Sequence, residues 1–179
     1  MNVSRKQLDA CLKQHPPKLT AGVAELVAVL HARKVPVFLV SGGFRAMIEP
    51  VAELLSIPKE RIFANQLLFG EDGSYAGFDD KEPTSKSGGK PLVVGTLMKT
   101  HGFQRLVAIG DGATDLETRP PAAGFIGFGG VVVRQKVKEG ADWFVTDFAE
   151  LIAPLKSESA SGAGGAAAAA APASGEAKS

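Results

Sequence analysis

Between Leu106 and Asp115 the chain reads Leu-Val-Ala-Ile-Gly-Asp-Gly-Ala-Thr-Asp, an apolar run that stops abruptly in two glycines and two carboxylates. Small and β-forming residues in succession suit a strand buried on both faces, as in parallel sheets covered by helices. Glycines at its end let the backbone turn sharply and approach a ligand closely. Asp111 then stands at the carboxyl end of a strand, where open α/β sheets bind ligands. The same residues also read as an ordinary Gly-Asp-Gly turn, so the rest of the chain has to decide.

The flanking chain alternates helix and strand signals. Ser4 is a candidate cap for a helix with Leu8, Cys11 and Leu12 at helical spacing, ending near Pro16-Pro17. Val23, Leu26, Val27 and Leu30 predict a second helix over Ala21 to Arg33, and Val35 to Val40 a strand ended by Ser41-Gly42-Gly43. Helical spacing resumes over Phe44 to Leu55, with Pro50 in its first turns or bending it. Arg61 to Phe69 and Ser74 to Phe78 around Glu71-Asp72-Gly73 predict a hairpin. Asp79 to Gly89 reads as a loop and Leu92 to His101 as a helix. Further on come a strand at Phe125 to Phe128, a helix at Val131 to Lys138, a strand at Trp143 to Val145 and a helix at Phe148 to Leu155. The alternation predicts a doubly wound, mostly parallel, Rossmann-like α/β sheet carrying a β-hairpin insertion, over residues 1–155. From Lys156 onward the composition collapses to Ala, Gly and Ser, with a run of six alanines from Ala166 to Ala171, which predicts a disordered tail over 156–179.

Composition excludes several classes. The 20 basic and 19 acidic side chains nearly cancel, so there is no footprint for nucleic acid. Polar residues follow Met1, and no apolar run approaches the ~18 residues of a membrane span, which speaks against secretion and membrane insertion. The single cysteine, Cys11, forms no internal disulfide and points to a reducing compartment.

Three segments can carry chemistry. Ser41, Gly42 and Gly43, between a strand and a helix, offer a hydroxyl and two N–H groups to an anion at a helix N-terminus, although Ser41 also suits a plain N-cap. Lys90 opens a helix after Gly88-Gly89, a poor place for a cation unless an anion accompanies it; its alternative is an exposed lysine in water. Asp111 is a hard oxygen ligand suited to Mg2+. Asp115 can ligate through water, orient Lys90, or simply favour a helix start. A P-loop is excluded, since Thr84 and Pro91 stand where it needs Gly and Ser or Thr, and Asp115 takes the place of the third glycine of a dinucleotide fingerprint. His15, His31 and His101 are too scattered for a metal cluster.

In this order, Val40-Ser41-Gly42-Gly43-Phe44-Arg45, Ser87-Gly88-Gly89-Lys90, Ile109 to Asp115 and Phe125-Ile126-Gly127-Phe128-Gly129-Gly130 resemble the later motifs of the haloacid dehalogenase superfamily. Within it they look most like the eukaryotic phosphoserine phosphatases, over about Val3 to Leu155. The resemblance implies a Mg2+-dependent hydrolase that converts O-phospho-L-serine to L-serine and phosphate in serine biosynthesis, through an aspartyl-phosphate. It implies that Ser41, Gly42 and Gly43 hold phosphoryl oxygens and Lys90 balances their charge. Thr114 would contact substrate, Asp111 would bind Mg2+, and Asp115 would support Lys90 or the metal's surroundings. It implies the cytoplasm, or the plastid stroma where a transit peptide precedes, and is compatible with a homodimer.

The superfamily's first motif, Asp-x-Asp-x-Thr or Ser, supplies the nucleophile and the general acid/base, and no Asp-x-Asp occurs in this sequence. The helical cap that follows it is absent too. In the superfamily that first strand lies between those ending at Ser41 and Asp111, so the sequence predicts a sheet lacking its centre, with a gap of roughly 10 Å. Three readings follow: a partial phosphoserine phosphatase, inactive alone; a remnant that binds phosphate or a partner; or a hydrolase with another substrate and nucleophile.

Overall fold

The computed structural model describes residues 3–161. The first helix, α1 (Arg5–Gln14), is capped by Ser4, with Gln7 reaching back to the Ser4 N–H at 2.9 Å. It is followed by α2 (Val23–Ala32), β1 (Leu39–Phe44) and α3 (Arg45–Leu54). Next come β2 (Ile62–Asn65), the hairpin β3 (Leu67–Phe69) and β4 (Tyr75–Phe78), a 3-10 turn at Pro83–Ser85, and α4 (Gly89–His101). The chain continues through β5 (Val107–Gly110), α5 (Ala113–Leu116), β6 (Gly124–Phe128), α6 (Gln135–Gly140), β7 (Trp143–Val145) and α7 (Ala149–Ser161).

This is the expected α/β alternation, and β1–β2 and β5–β6–β7 are both parallel ladders. Among the described residues these two ladders are not hydrogen-bonded to each other, and β5 pairs with β6 alone. Val107 and Ile109 on β5 are 46% and 41% exposed although the strand is apolar. The hairpin β3–β4 is antiparallel and separate from both. In its turn, Asp72 accepts from the Ser74 hydroxyl at 2.7 Å and the Ser74 N–H at 2.9 Å, which holds its carboxyl below the ordinary range.

Several boundaries differ from expectation. The first strand begins at Leu39, not Val35, and runs through Ser41-Gly42-Gly43 instead of ending there. Arg61 to Phe69 is not one arm of a hairpin: Ile62–Asn65 joins β1 in parallel and only Leu67–Phe69 turns back on Tyr75–Phe78. Pro50 lies inside α3 in its second turn, one of the two placements expected for it. The helix expected from Leu92 starts at Gly89, and the one expected over Val131 to Lys138 covers Gln135–Gly140. Val131, Val132 and Val133 are exposed and outside it. Valine loses side-chain freedom in a helix, so a β-branched triplet does not carry a helix start. The last helix passes Leu155 and continues to Ser161; the alanine run lies outside the described residues.

Two apolar clusters form the core. One gathers Leu26, Phe128, Val145, Phe148, Leu151 and Ile152 beneath β6 and β7, with the Phe128 and Phe148 rings stacked at 4.2 Å. The other gathers Val27, Ala52, Leu55, Ile57, Ile62 and Ala64 beneath β1 and β2. Consecutive residues of α2, Leu26 and Val27, therefore serve different cores.

Candidate phosphate site at the strand ends

The site is built at the carboxyl ends of β1, β2 and β5. Between the register pairs Val40↔Phe63 and Phe44↔Asn65, β1 interposes Ser41, Gly42 and Gly43 where β2 has only Ala64. The surplus residues bulge from the ladder, a device that re-aims backbone next to ligand sites. Gly42 and Gly43 are exposed there. Ser41 is not the cap of α3, which follows Phe44 without a side-chain cap; its Oγ instead accepts from the Gly43 N–H at 3.0 Å.

Lys90 lies in the first turn of α4, after Gly88 in the left-handed region at φ 74°. Its Nζ donates to Asp115 Oδ1 at 2.6 Å, with both side chains only 18% exposed. The anion that a cation at a helix N-terminus calls for is thus Asp115. The other oxygen of Asp115 accepts from the Gly112 N–H at 3.0 Å, closing the first turn of α5. Orienting Lys90 and favouring a helix start, two of the alternatives for Asp115, are both realised. Close packing makes this possible: a Cβ on Gly110 would fall on the Asp115 side chain, 2.6 Å from Oδ2.

Asp111 leaves β5 half-exposed and pairs with Arg134, whose Nη1 also donates to the Asp111 carbonyl at 2.9 Å. Gly42, Lys90 and Thr114 line one cleft of about 90 Å³ together with Thr84, Lys86 and Glu117. All three sequence segments therefore meet at one end of the fold. Arg134 and Thr84 join the site without belonging to any of the three segments. The one local sign of Arg134 is a cation that ends an apolar run after the Gly129-Gly130 pair, just beyond a strand end. No three His, Cys, Asp or Glu side chains cluster as a metal site among the described residues. Asp111, outside the cleft's lining, and Glu117 within it are exposed carboxylates of the hard oxygen type that Mg2+ takes.

Parallel strands ending in a glycine bulge, a partly buried lysine–carboxylate pair and an exposed carboxylate define an α/β domain with a candidate site at its sheet ends, where open α/β sheets take ligands. Comparison with known proteins makes this specific. The haloacid dehalogenase-like hydrolase family matches residues 3–118. The phosphoserine phosphatase of Rattus norvegicus is 53% identical over 153 residues, which cover 86% of this chain and 68% of that protein. The chloroplastic phosphoserine phosphatase of Arabidopsis thaliana is 47% identical over 85% of this chain and 52% of its own length. A solved phospho-aspartyl intermediate analogue of phosphoserine phosphatase superposes with TM-score 0.70 at 26% identity, over 86% of this chain and 71% of that one. The chain belongs to the haloacid dehalogenase-like hydrolase family, among its phosphoserine phosphatases.

Proposed function

We propose that this chain carries the phosphate-binding part of a phosphatase for O-phospho-L-serine, which releases L-serine and phosphate in serine biosynthesis. The observation that carries the reading is the Lys90–Asp115 pair, held at 2.6 Å, with Lys90 lining the same cleft as Gly42 and Thr114. In this reading the Gly42 amide and the Ser41 hydroxyl take phosphoryl oxygens, the Gly43 amide joins them by exchanging its bond to Ser41 Oγ, Lys90 balances their charge, and Thr114 contacts the substrate. Asp115 positions Lys90. Asp111 would hold Mg2+, which offsets charge on phosphoryl oxygens when bound. The compartment proposed is the cytoplasm or, as for the Arabidopsis relative, the plastid. Among the described residues no helix is long and apolar enough to cross a membrane.

The family's nucleophile and general acid/base are proposed to lie outside these residues, since the sequence holds no Asp-x-Asp. That same absence favours a second reading, a non-catalytic phosphate- or partner-binding protein. The chain alone is expected to show no turnover of O-phospho-L-serine with Mg2+ above background. A version extended by an Asp-x-Asp strand and cap is expected to turn over. Equal turnover by the two would overturn the placement of the nucleophile, and silence from both would favour the second reading.

Arg134 competes with any cation for Asp111. Arg134→Ala is expected to tighten Mg2+ binding by up to about fivefold at low ionic strength, the scale of an exposed ion pair. Calorimetric titration with MgCl2 checks this, and weaker binding by the variant would contradict the role of Asp111 as a ligand.

A further inference from the structure

We propose that Asn65 is a positioning residue that sets the separation between the Ser41–Gly43 bulge and Lys90, so that both bear on one phosphoryl group; this rests on the anion-site reading above. Asn65 ends β2, opposite Phe44 in register. Its Nδ2 donates to the Gly42 carbonyl at 2.7 Å, and its Oδ1 accepts from the Thr84 hydroxyl at 2.9 Å. A carbonyl only accepts, so the amide nitrogen has to face Gly42, and this fixes which end is left for Thr84. One planar amide therefore ties two loops that are remote in sequence.

The second loop transmits the tie to Lys90. Thr84 is 8% exposed within the 3-10 turn Pro83–Ser85. That turn lies against the start of α4 so closely that a Cβ on Gly89 would stand 2.6 Å from the Pro83 carbonyl carbon and 2.9 Å from the Thr84 Cα. Displacing Thr84 displaces Gly89, and Lys90 follows it. Gly42 has no side chain with which to anchor its own peptide. The turn itself has an independent hold, because Arg45 donates to Glu82 at 3.2 Å and to the Ile62 carbonyl at 2.9 Å. Loss of the Asn65 amide therefore leaves the turn folded but uncoupled from the bulge.

The test uses the full chain, isotope-labelled for amide NMR, with Asn65→Ala, Thr84→Val and Thr84→Ser. Without ligand, Asn65→Ala is expected to shift the amide resonances of Gly42, Gly89 and Lys90 together. Thr84→Val should move Gly89 and Lys90, and Thr84→Ser, which keeps the hydroxyl, should restore the parent positions. Titrated with inorganic phosphate where every variant is folded, Asn65→Ala and Thr84→Val are expected to bind about tenfold more weakly, and Thr84→Ser like the parent. A purely stabilising amide would lower the melting temperature and leave phosphate affinity unchanged. Unmoved Gly89 and Lys90 resonances in Asn65→Ala, or parental phosphate affinity, would overturn the proposal. Failure of the parent to bind phosphate would count against the anion site, while the ligand-free resonances would still decide whether Asn65 couples the two loops.

Discussion

Lys90→Ala is expected to weaken phosphate binding by on the order of 100-fold, the value of a charge-assisted hydrogen bond in a partly buried site. Two losses combine. The cation that would face the phosphoryl oxygens disappears, and Asp115, only 18% exposed, loses its partner. An unpaired carboxylate beside the cleft repels the anion that Lys90 would have attracted, so the site changes sign locally. Stability falls as well, by about 2 kcal/mol, which lowers the melting temperature by about 4–8 °C in a domain of this size. The double variant Lys90→Ala/Asp115→Asn separates the two contributions. Neutralising Asp115 removes the repulsion and is expected to recover part of the stability but little of the affinity. Phosphate titration and thermal melts of the three proteins check this, and parental affinity in Lys90→Ala would remove the central support for the anion site.

Gly89→Ala is expected to cost about 3 kcal/mol, the upper range for overfilling a packed site. The added methyl would fall on the Pro83 carbonyl, 2.6 Å from its carbon and 2.9 Å from the Thr84 Cα. Both are backbone atoms, so the strain is relieved only by moving the turn or the helix start. The neighbouring Gly88 provides the contrast. It has open space around a built Cβ but sits at φ +74°, so Gly88→Ala is expected to cost only about 1–2 kcal/mol, from backbone strain alone. Chemical denaturation of both variants would show the order. A smaller cost at Gly89 would mean that the turn yields easily, and would argue against its tight coupling to Lys90.

What could be read from the sequence follows the range of the interactions. The helix after Ser4 is legible because its cap and its stop at the prolines are local. The strand ending at Asp111 is legible because its apolar run and glycines lie within ten residues of one another. The meeting of Gly42, Lys90 and Thr114 at one cleft follows from motif order, and Lys90 meets Asp115 as one of the weighed alternatives. The partition of Arg61 to Phe69 between two sheets is not legible, because the parallel partner of Ile62–Asn65 is β1, and nothing local distinguishes that pairing from a hairpin arm. The apolar run from Val35 suggested too early a strand start, since composition marks burial and not the first ladder bond. Arg134 and Asn65 escape for one reason. Each acts on a residue far along the chain, and neither stands in a pattern that announces its partner.

The placement of Leu26 and Val27 in separate cores has a consequence for evolution and design. The half that carries the glycine bulge of β1 and the half built on β6 and β7 thus share one helix, whose two adjacent side chains pack into a different core each. A change of volume at either position strains one core directly and reaches the other through the same helix. Variation in α2 is therefore a way to alter how the two halves pack together with every residue that lines the cleft left unchanged.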